Sequence, residues 1–105
     1  EAVKEANKMS VGVDRDQYDL APDNMLTSAM KNIDVAVANL VRDFVNGDYK
    51  GGEVKNGTLA NNGVGLASTT DKNVSEKILK YVDEQAQEIK DGKIKVPSNE
   101  KEFNK

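Results

Sequence analysis

The chain has 105 residues, of which 18 are acidic and 15 basic, giving a formal net charge of -3 without any basic block. This length suits one ordinary domain, and the scattered charge argues against nucleic acid as a partner. The absence of Cys and His excludes thiol nucleophiles, Ser-His-Asp triads, disulfides and the usual zinc sites.

The first predicted elements are the end of a helix and a strand. Residues 1–8 are mostly good helix formers but too few to nucleate a helix alone, so we interpret them as the last two turns of a longer helix. The apolar run at Met9 to Val13 predicts a buried strand, and Asp14 and Asp16 follow it directly. In open α/β sheets, ligands bind at the carboxyl ends of strands. The two carboxylates are therefore candidate binding groups.

The next segment is predicted to be a loop and then a second extended stretch. Residues 18–24 include a proline and an Asp-Asn pair, which are typical of turns. Residues 25–31 are predicted to be extended and to hold Lys31 at the mouth of the following helix. The simplest interpretation of Lys31 is a solvated side chain. Because it ends a run of apolar and small residues, a donor to a ligand hydroxyl is the alternative.

A helix is predicted from Asn32, the expected N-cap, with Asp34 in the first turn where the helix dipole favours an acid. Gly47 is predicted to close the helix at its C-terminus. One face carries an apolar stripe at helical spacing, which we expect to be core. The stripe consists of Ile33, Val37, Leu40, Val41 and Phe44.

Residues 53–68 are predicted to be loosely extended and interrupted by glycines. Asn56-Gly57 is predicted to close a hairpin between residues 53–55 and residues 58–60. Residues 64–67 are predicted to form a further short strand.

A second helix is predicted from a capping box, in which Asn73 is followed three residues later by Glu76. The helix is predicted to end at Gly92. Residues 93–97 are then predicted to form a short strand or strap, and residues 98–105 a polar tail with little reason to order. The apolar stripe of this helix consists of Val74, Ile78, Val82, Ala86 and Ile89.

The Asp14-x-Asp16 pair has four interpretations. In the simplest, both carboxylates are solvated turn or cap residues. A calcium loop fails on spacing, because Tyr18 and Asp19 stand where that loop needs an oxygen ligand and a glycine. A strand-borne Asp-x-Asp also resembles the start of haloacid-dehalogenase phosphatases, although Gln17 and Tyr18 depart from the small pair usual there. The fourth is sugar recognition, in which a carboxylate accepts hydrogen bonds from two vicinal hydroxyls, each worth about 1.5–3 kcal/mol when sheltered from water.

Five motifs together resemble a known family. In this order they are similar to the C-terminal portion of the basic membrane lipoproteins, which include the purine nucleoside receptors. Such proteins are ABC transporter substrate-binding proteins of the type I periplasmic-binding fold. The motifs are Val-Gly-Val-Asp-Arg-Asp-Gln at 11–17, Leu-Thr-Ser-Ala-Met-Lys at 26–31, Asp-Val-Ala-Val at 34–37, Gly-Val-Gly-Leu-Ala at 63–67 and Gly-Lys-Ile-Lys-Val-Pro at 92–97.

The resemblance implies an α/β fold, namely part of a type I periplasmic-binding protein with a parallel sheet and flanking helices. Residues 1–97 would be the C-terminal portion of a two-lobed solute-binding protein, residues 53–68 would cross its hinge, and residues 98–105 would be the tail. It implies a binding protein and not an enzyme, with no cofactor and no metal. The alternative, from Asp14-x-Asp16 alone, is a small phosphotransfer enzyme of haloacid-dehalogenase type.

The resemblance also implies the site and the partners. Asp14 matches the carboxylate that binds ribose hydroxyls, and Lys31 matches the lysine that reaches the ribose. Asp16 is carried over as a further ligand-binding candidate, with Asp16 and Gln17 in supporting roles. The implied ligand is a purine nucleoside, and the implied partners are ABC permease subunits. The implied location is the extracytoplasmic face of the cell membrane, through an N-terminal lipid anchor that this chain lacks.

The low apolar content suggests a core that needs further material. Hydrophobic residues make up 37% of the chain and aromatic residues 5%, and the mean hydropathy is -0.67. We expect a fragment whose strand edge and helix stripes are partly uncovered, because upstream strands of a parallel sheet are missing. Such a chain is predicted to associate with a second copy, with exchange of residues 53–68 as one route.

Overall fold

The computed structural model describes residues 1–104 as a small α/β unit with one mixed sheet. Two short 3-10 helices, at Tyr18–Leu20 and Ser68–Lys72, lie in the loops that precede β2 and follow β3. In chain order the other elements are α1 (Ala2–Glu5), β1 (Ser10–Asp14), β2 (Met25–Lys31), α2 (Ile33–Asn46), β3 (Val64–Leu66), α3 (Glu76–Lys90) and α4 (Glu100–Phe103).

The sheet has the order β1-β2-β3, and its first pair is parallel, as the α/β prediction requires. Val11 pairs with Thr27, and Asp14 pairs with Met30, after an irregularity in register between Ser10 and Val11. The carboxyl ends of β1 and β2 therefore lie at the same edge of the sheet.

The third strand is antiparallel to β2, so the sheet contains one parallel and one antiparallel pair. The reason lies in Asn32, directly after β2. Its backbone N–H donates to the Gly63 carbonyl at 3.0 Å, and its side-chain amide donates to the Asn62 carbonyl at 2.8 Å. Because these bonds place the start of β3 beside the end of β2, β3 runs back along its neighbour.

The predicted hairpin around Asn56-Gly57 is wrong. The side chain of Asn61 makes the hydrogen bonds that a ladder would otherwise supply: Oδ1 accepts from the backbone N–H of Thr58 at 2.7 Å, and the amide donates to the Asn56 carbonyl at 2.8 Å. Such local side-chain bonds compete with strand pairing. The segment is accordingly a compact loop, and residues 93–97 likewise form a strap without a strand.

Both long helices form where the apolar stripes predicted them, and α2 ends at Gly47 as predicted, but the N-terminal caps of both helices differ from the prediction. Gly47 closes α2 in the left-handed conformation, with φ of 80°. Asn32 precedes α2, yet its side chain bonds to Asn62 instead of capping the helix. The predicted capping box at Asn73 is wrong, because α3 begins at Glu76 after Ser75 and the Asn73 amide donates to the Met25 carbonyl at 2.7 Å.

The buried core is small and lies under the sheet and its loops. Ala21, Met25 and Ala67 are the buried apolar residues of the described chain, at 4–6% exposure, together with the polar Ser28 and Thr70. The prediction that the α2 stripe is core is wrong for this chain. None of the stripe is buried within residues 1–104. The exposed members are Ile33, Val37, Leu40, Val41 and Phe44, at 45–70%.

The C-terminal segment is more ordered than predicted. Asn99 precedes the single turn of α4 and accepts a hydrogen bond from the Glu102 N–H at 3.1 Å, while Glu102 accepts from the Ser98 N–H at 3.0 Å. In residues 1–104, no helix combines the length and the apolar content needed to cross a bilayer.

Candidate functional site

An ion pair stands at the shared carboxyl edge of β1 and β2. Asp14 is the last residue of β1, Lys31 is the last of β2, and Asp14 Oδ1 lies 2.7 Å from Lys31 Nζ. Both side chains are well exposed, at 66% for Asp14 and 60% for Lys31. Exposed pairs of this kind are worth at most about 1 kcal/mol of stability, so the fold does not depend on this contact.

The backbone of Asp14 has a left-handed conformation, with φ of 75°. Such a conformation costs a non-glycine residue about 1–2 kcal/mol, although Asp tolerates it better than most. In register, Asp14 pairs with Met30, so a regularly extended Asp14 would share a face with Met30 and not with Lys31. The left-handed backbone takes the side chain out of that alternation, and the carboxylate meets Lys31.

Gln17 returns the loop to the sheet and so supports this geometry. Its backbone N–H donates to Ser28 Oγ at 3.0 Å, and its side-chain amide donates to the Val13 carbonyl at 2.8 Å. Ser28 is fully buried in the middle of β2. A Cβ on Gly12 would overlap the Ser28 hydroxyl and lie 3.0 Å from the Gln17 Cβ. Glycine at position 12 therefore allows the loop to approach β2 closely.

Asp16 is engaged by the protein and is not brought to the ion pair. Thr69 Oγ1 donates to both carboxylate oxygens of Asp16, at 3.0 and 2.9 Å, and the Tyr18 N–H donates to Oδ1 at 3.0 Å. The Lys72 ammonium also lies 5.4 Å from the centre of the Tyr18 ring. The loop after β1 is thus joined to the 3-10 turn after β3.

Two residues of this network were missed from the sequence, Ser28 and Thr69. Ser28 is a polar residue in the middle of a predicted extended stretch and is fully buried in the structure, and a small polar residue at such a position is a usable signal for a hydrogen-bonding role. Thr69 lies two residues after the strand predicted at 64–67, and nothing local links it to Asp16, which is 53 residues away in the chain.

The edge offers an acceptor and a cation that are open to a ligand. A carboxylate is an acceptor for two hydroxyl donors, and an ammonium donates to sugar oxygens. Among residues 1–104, no three His, Cys, Asp or Glu side chains are grouped so that they could hold a metal ion. The arrangement therefore suits recognition of a polar, hydroxyl-bearing ligand.

Comparison with known proteins gives a consistent result. The family model described as ABC transporter substrate-binding protein PnrA-like matches residues 1–100. The CD4+ T-cell-stimulating antigen of Listeria monocytogenes is 41% identical over 96 residues, which cover 83% of this chain and 27% of that protein. Basic membrane protein A of Borreliella burgdorferi is 32% identical over 96 residues, covering 90% of this chain and 28% of that protein.

A solved structure has the same fold. An ABC transporter solute-binding protein from Aeropyrum pernix K1 superposes with a TM-score of 0.69 and 27% identity, over 98% of this chain and 38% of that chain. The present chain spans just over a quarter of the length of the curated relatives it matches.

Proposed function

The chain belongs to the Bmp family of PnrA-like ABC transporter substrate-binding proteins, and we propose that it contributes the ribose-binding edge of a purine nucleoside site. The observation that carries the proposal is the exposed Asp14–Lys31 pair at the carboxyl ends of two neighbouring parallel strands. The family is one of binding proteins and not of enzymes, so the phosphotransfer alternative is set aside.

The pair supplies complementary chemistry for a ribose. The Asp14 carboxylate accepts hydrogen bonds from the two vicinal hydroxyls, and the Lys31 ammonium donates to a sugar oxygen. Charge-assisted bonds of this kind contribute about 1.5–3 kcal/mol each once the site is closed to water. Because the exposed ion pair is itself weak, little free energy is lost when a ligand hydrogen-bonds to Asp14 and Lys31 in its place.

The proposal extends to partners and location. A substrate-binding protein of an ABC transporter delivers its ligand to permease subunits, so we propose permease subunits as the partners of the complete protein. We propose its location as the extracytoplasmic face of the cell membrane, held by an N-terminal lipid anchor outside this sequence. Residues 1–97 would be the C-terminal portion of two lobes, with residues 53–68 crossing the hinge. The loop character of residues 53–63 supports that crossing.

Self-association of the isolated chain is a further part of the proposal. A groove of about 750 Å³ lies between the sheet and α3, with largely apolar walls that include Val13, Leu66 and Tyr81. These three side chains are 49–61% exposed. A second copy would bury such surface, and exchange of residues 53–68 remains one route to it.

The test of nucleoside binding is calorimetric titration of the complete polypeptide with adenosine and guanosine. The matched control ligand is 2′,3′-dideoxyadenosine, which keeps the base but lacks both hydroxyls that Asp14 would accept. We expect both purine nucleosides to bind and the dideoxy compound to bind at least about 100-fold more weakly, because two charge-assisted bonds are lost. Equal binding of adenosine and its dideoxy analogue, or no binding of either nucleoside, would contradict the proposal.

A further inference from the structure

We propose that Asp16 is a positioning residue that acts on the ligand through Asp14, and that Thr69 is its partner in this role. The inference rests on the proposed function, since it assigns a supporting network to the same nucleoside site. It differs from the expectation that Asp16 itself touches the ligand.

The first step is that the Asp16 carboxylate is already occupied. Thr69 Oγ1 lies 3.0 Å from Oδ1 and 2.9 Å from Oδ2, and the Tyr18 N–H lies 3.0 Å from Oδ1. Asp16 is also less exposed than its neighbour Asp14. Contact between Asp16 and a ligand would require these bonds to be given up.

The second step is that the occupied loop determines the backbone of Asp14. Only Arg15 separates Asp16 from Asp14, and Gln17 follows directly with bonds to buried Ser28 and to the Val13 carbonyl. The loop is therefore fixed to β2 through Gln17 and to the turn after β3 through Asp16. Between these attachments and β1, Asp14 keeps the left-handed conformation that directs its carboxylate towards Lys31.

The third step is that Thr69 belongs to a rigid support. Its neighbour Thr70 is buried, and the hydroxyls of Thr70 and Thr27 lie 2.6 Å apart, which ties the turn to β2. Thr69 can thus hold Asp16 relative to the strand that carries Lys31. Loss of the Thr69 hydroxyl would loosen Asp14 relative to Lys31.

A double-mutant cycle on the complete polypeptide tests this, with the Kd for adenosine as the readout. We expect Asp16→Ala, which removes the acceptor, and Thr69→Val, which removes the donor, each to raise the Kd about tenfold, and the double variant to raise it no further, because both changes break the Asp16–Thr69 contact. Thr69→Ser, which keeps the hydroxyl, should restore binding. Asp19→Asn, an exposed carboxylate in the same loop, should change the Kd by less than about twofold. If the effects of Asp16→Ala and Thr69→Val multiply, Asp16 contacts the ligand directly and the proposal is wrong.

Hydrogen exchange supplies a readout that needs no ligand. Thr69→Val should speed exchange of the Gln17 amide, which donates to Ser28 Oγ, by about tenfold, while Asp19→Asn should leave it unchanged. Unchanged exchange of Gln17 in a folded Thr69→Val protein would overturn the proposal. If the unsubstituted protein binds neither adenosine nor guanosine, the proposed function fails, and the exchange of Gln17 alone decides the positioning role.

Discussion

Asp14 combines a strained backbone with an ion pair that stabilises the fold little. Its φ of 75° is a conformation that glycine adopts without cost, and its pairing with Lys31 is largely solvent-exposed. Backbone strain that is not offset by stabilising local contacts is characteristic of functional positions. The two properties can be separated by substitution.

We predict that Asp14→Ala and Asp14→Gly both lower affinity for adenosine by at least about 100-fold, because each would remove the proposed acceptor of two ribose hydroxyls. Their stabilities should differ. Asp14→Gly relieves the strain of the left-handed conformation, so its free energy of unfolding should be about 1 kcal/mol higher than that of Asp14→Ala. Calorimetry and urea unfolding of the complete polypeptide measure the two quantities. An Ala variant more stable than the Gly variant would contradict the strained conformation.

For single residues, the sequence identified candidates that lie next to the end of a predicted strand. It missed residues whose role depends on a hydrogen-bond partner elsewhere in the chain. Asp14 and Lys31 were identified as candidates because Asp14 follows one predicted strand directly and Lys31 ends the next, and both are local features. Ser28 and Thr69 act on partners 11 and 53 residues away, respectively, so their roles exist only once the strands and loops are assembled. Asp16 was grouped with Asp14 for the same reason, since spacing alone does not show which carboxylate is already bonded.

The pairing of β1 with β2 depends on the close approach at Gly12. A Cβ at this position would overlap the Ser28 hydroxyl and lie 3.2 Å from the Ser28 Cβ. We predict that Gly12→Ala destabilises the protein by about 1–3 kcal/mol, as overpacking of a buried site does. Gly65→Ala in β3, where an added Cβ meets nothing within 4 Å, is the matched control and should change stability by less than about 0.5 kcal/mol. Urea unfolding measures both. A Gly12→Ala protein as stable as the Gly65→Ala protein would count against the packing described.

We predict that the stability of the short helix α4 depends on pH. Hydrogen bonds from the Ser98 N–H and hydroxyl lower the pKa of Glu102 below its usual value of 4.5. Because the folded pKa is the lower one, the stabilisation is present above pH 4.5 and is lost as pH falls through the lowered pKa. The protection of the Phe103 amide against hydrogen exchange should therefore be lower at about pH 3 than at pH 7, because the helix opens more often. Glu102→Gln, which cannot ionise, should lose this dependence, and an identical pH profile in that variant would contradict the assignment.

For helices and strands, apolar periodicity and the glycine that ends α2 gave correct predictions. Predictions that depended on the hydrogen bonds of particular Asn side chains were wrong. The two long helices, the strands β1 and β2 and the stop at Gly47 follow from local apolar spacing and glycine chemistry. The hairpin and the cap at Asn73 failed because Asn side chains bonded to distant or neighbouring backbone groups instead. An Asn is equally suited to a cap, a turn and a tertiary bond, so its type alone does not distinguish them.

The whole molecule exposes more surface than its mass warrants. Its accessible surface is 8379 Å², whereas a folded monomer of 11.4 kDa exposes about 5,800 Å². Its radius of gyration is 16.9 Å, against about 13 Å for a compact domain of this length. The excess lies partly on the α2 stripe and the groove beside α3, both apolar and exposed. This excess of accessible surface is comparable in area to an obligate interface.

We predict that the isolated 105-residue chain is ordered only when it associates with a second copy, through an interface above about 1,000 Å². Light scattering should give a dimer mass that falls on dilution, and the unfolding temperature should fall with it, because association stabilises by mass action. Leu66→Glu, in the wall of the groove, should shift the chain towards monomer and unfold it. Leu20→Glu, which adds the same charge at a similarly exposed residue outside the groove walls, should not. A monomer that melts cooperatively at low concentration would show that the chain needs no second copy, and that its exposed apolar faces are stable in water.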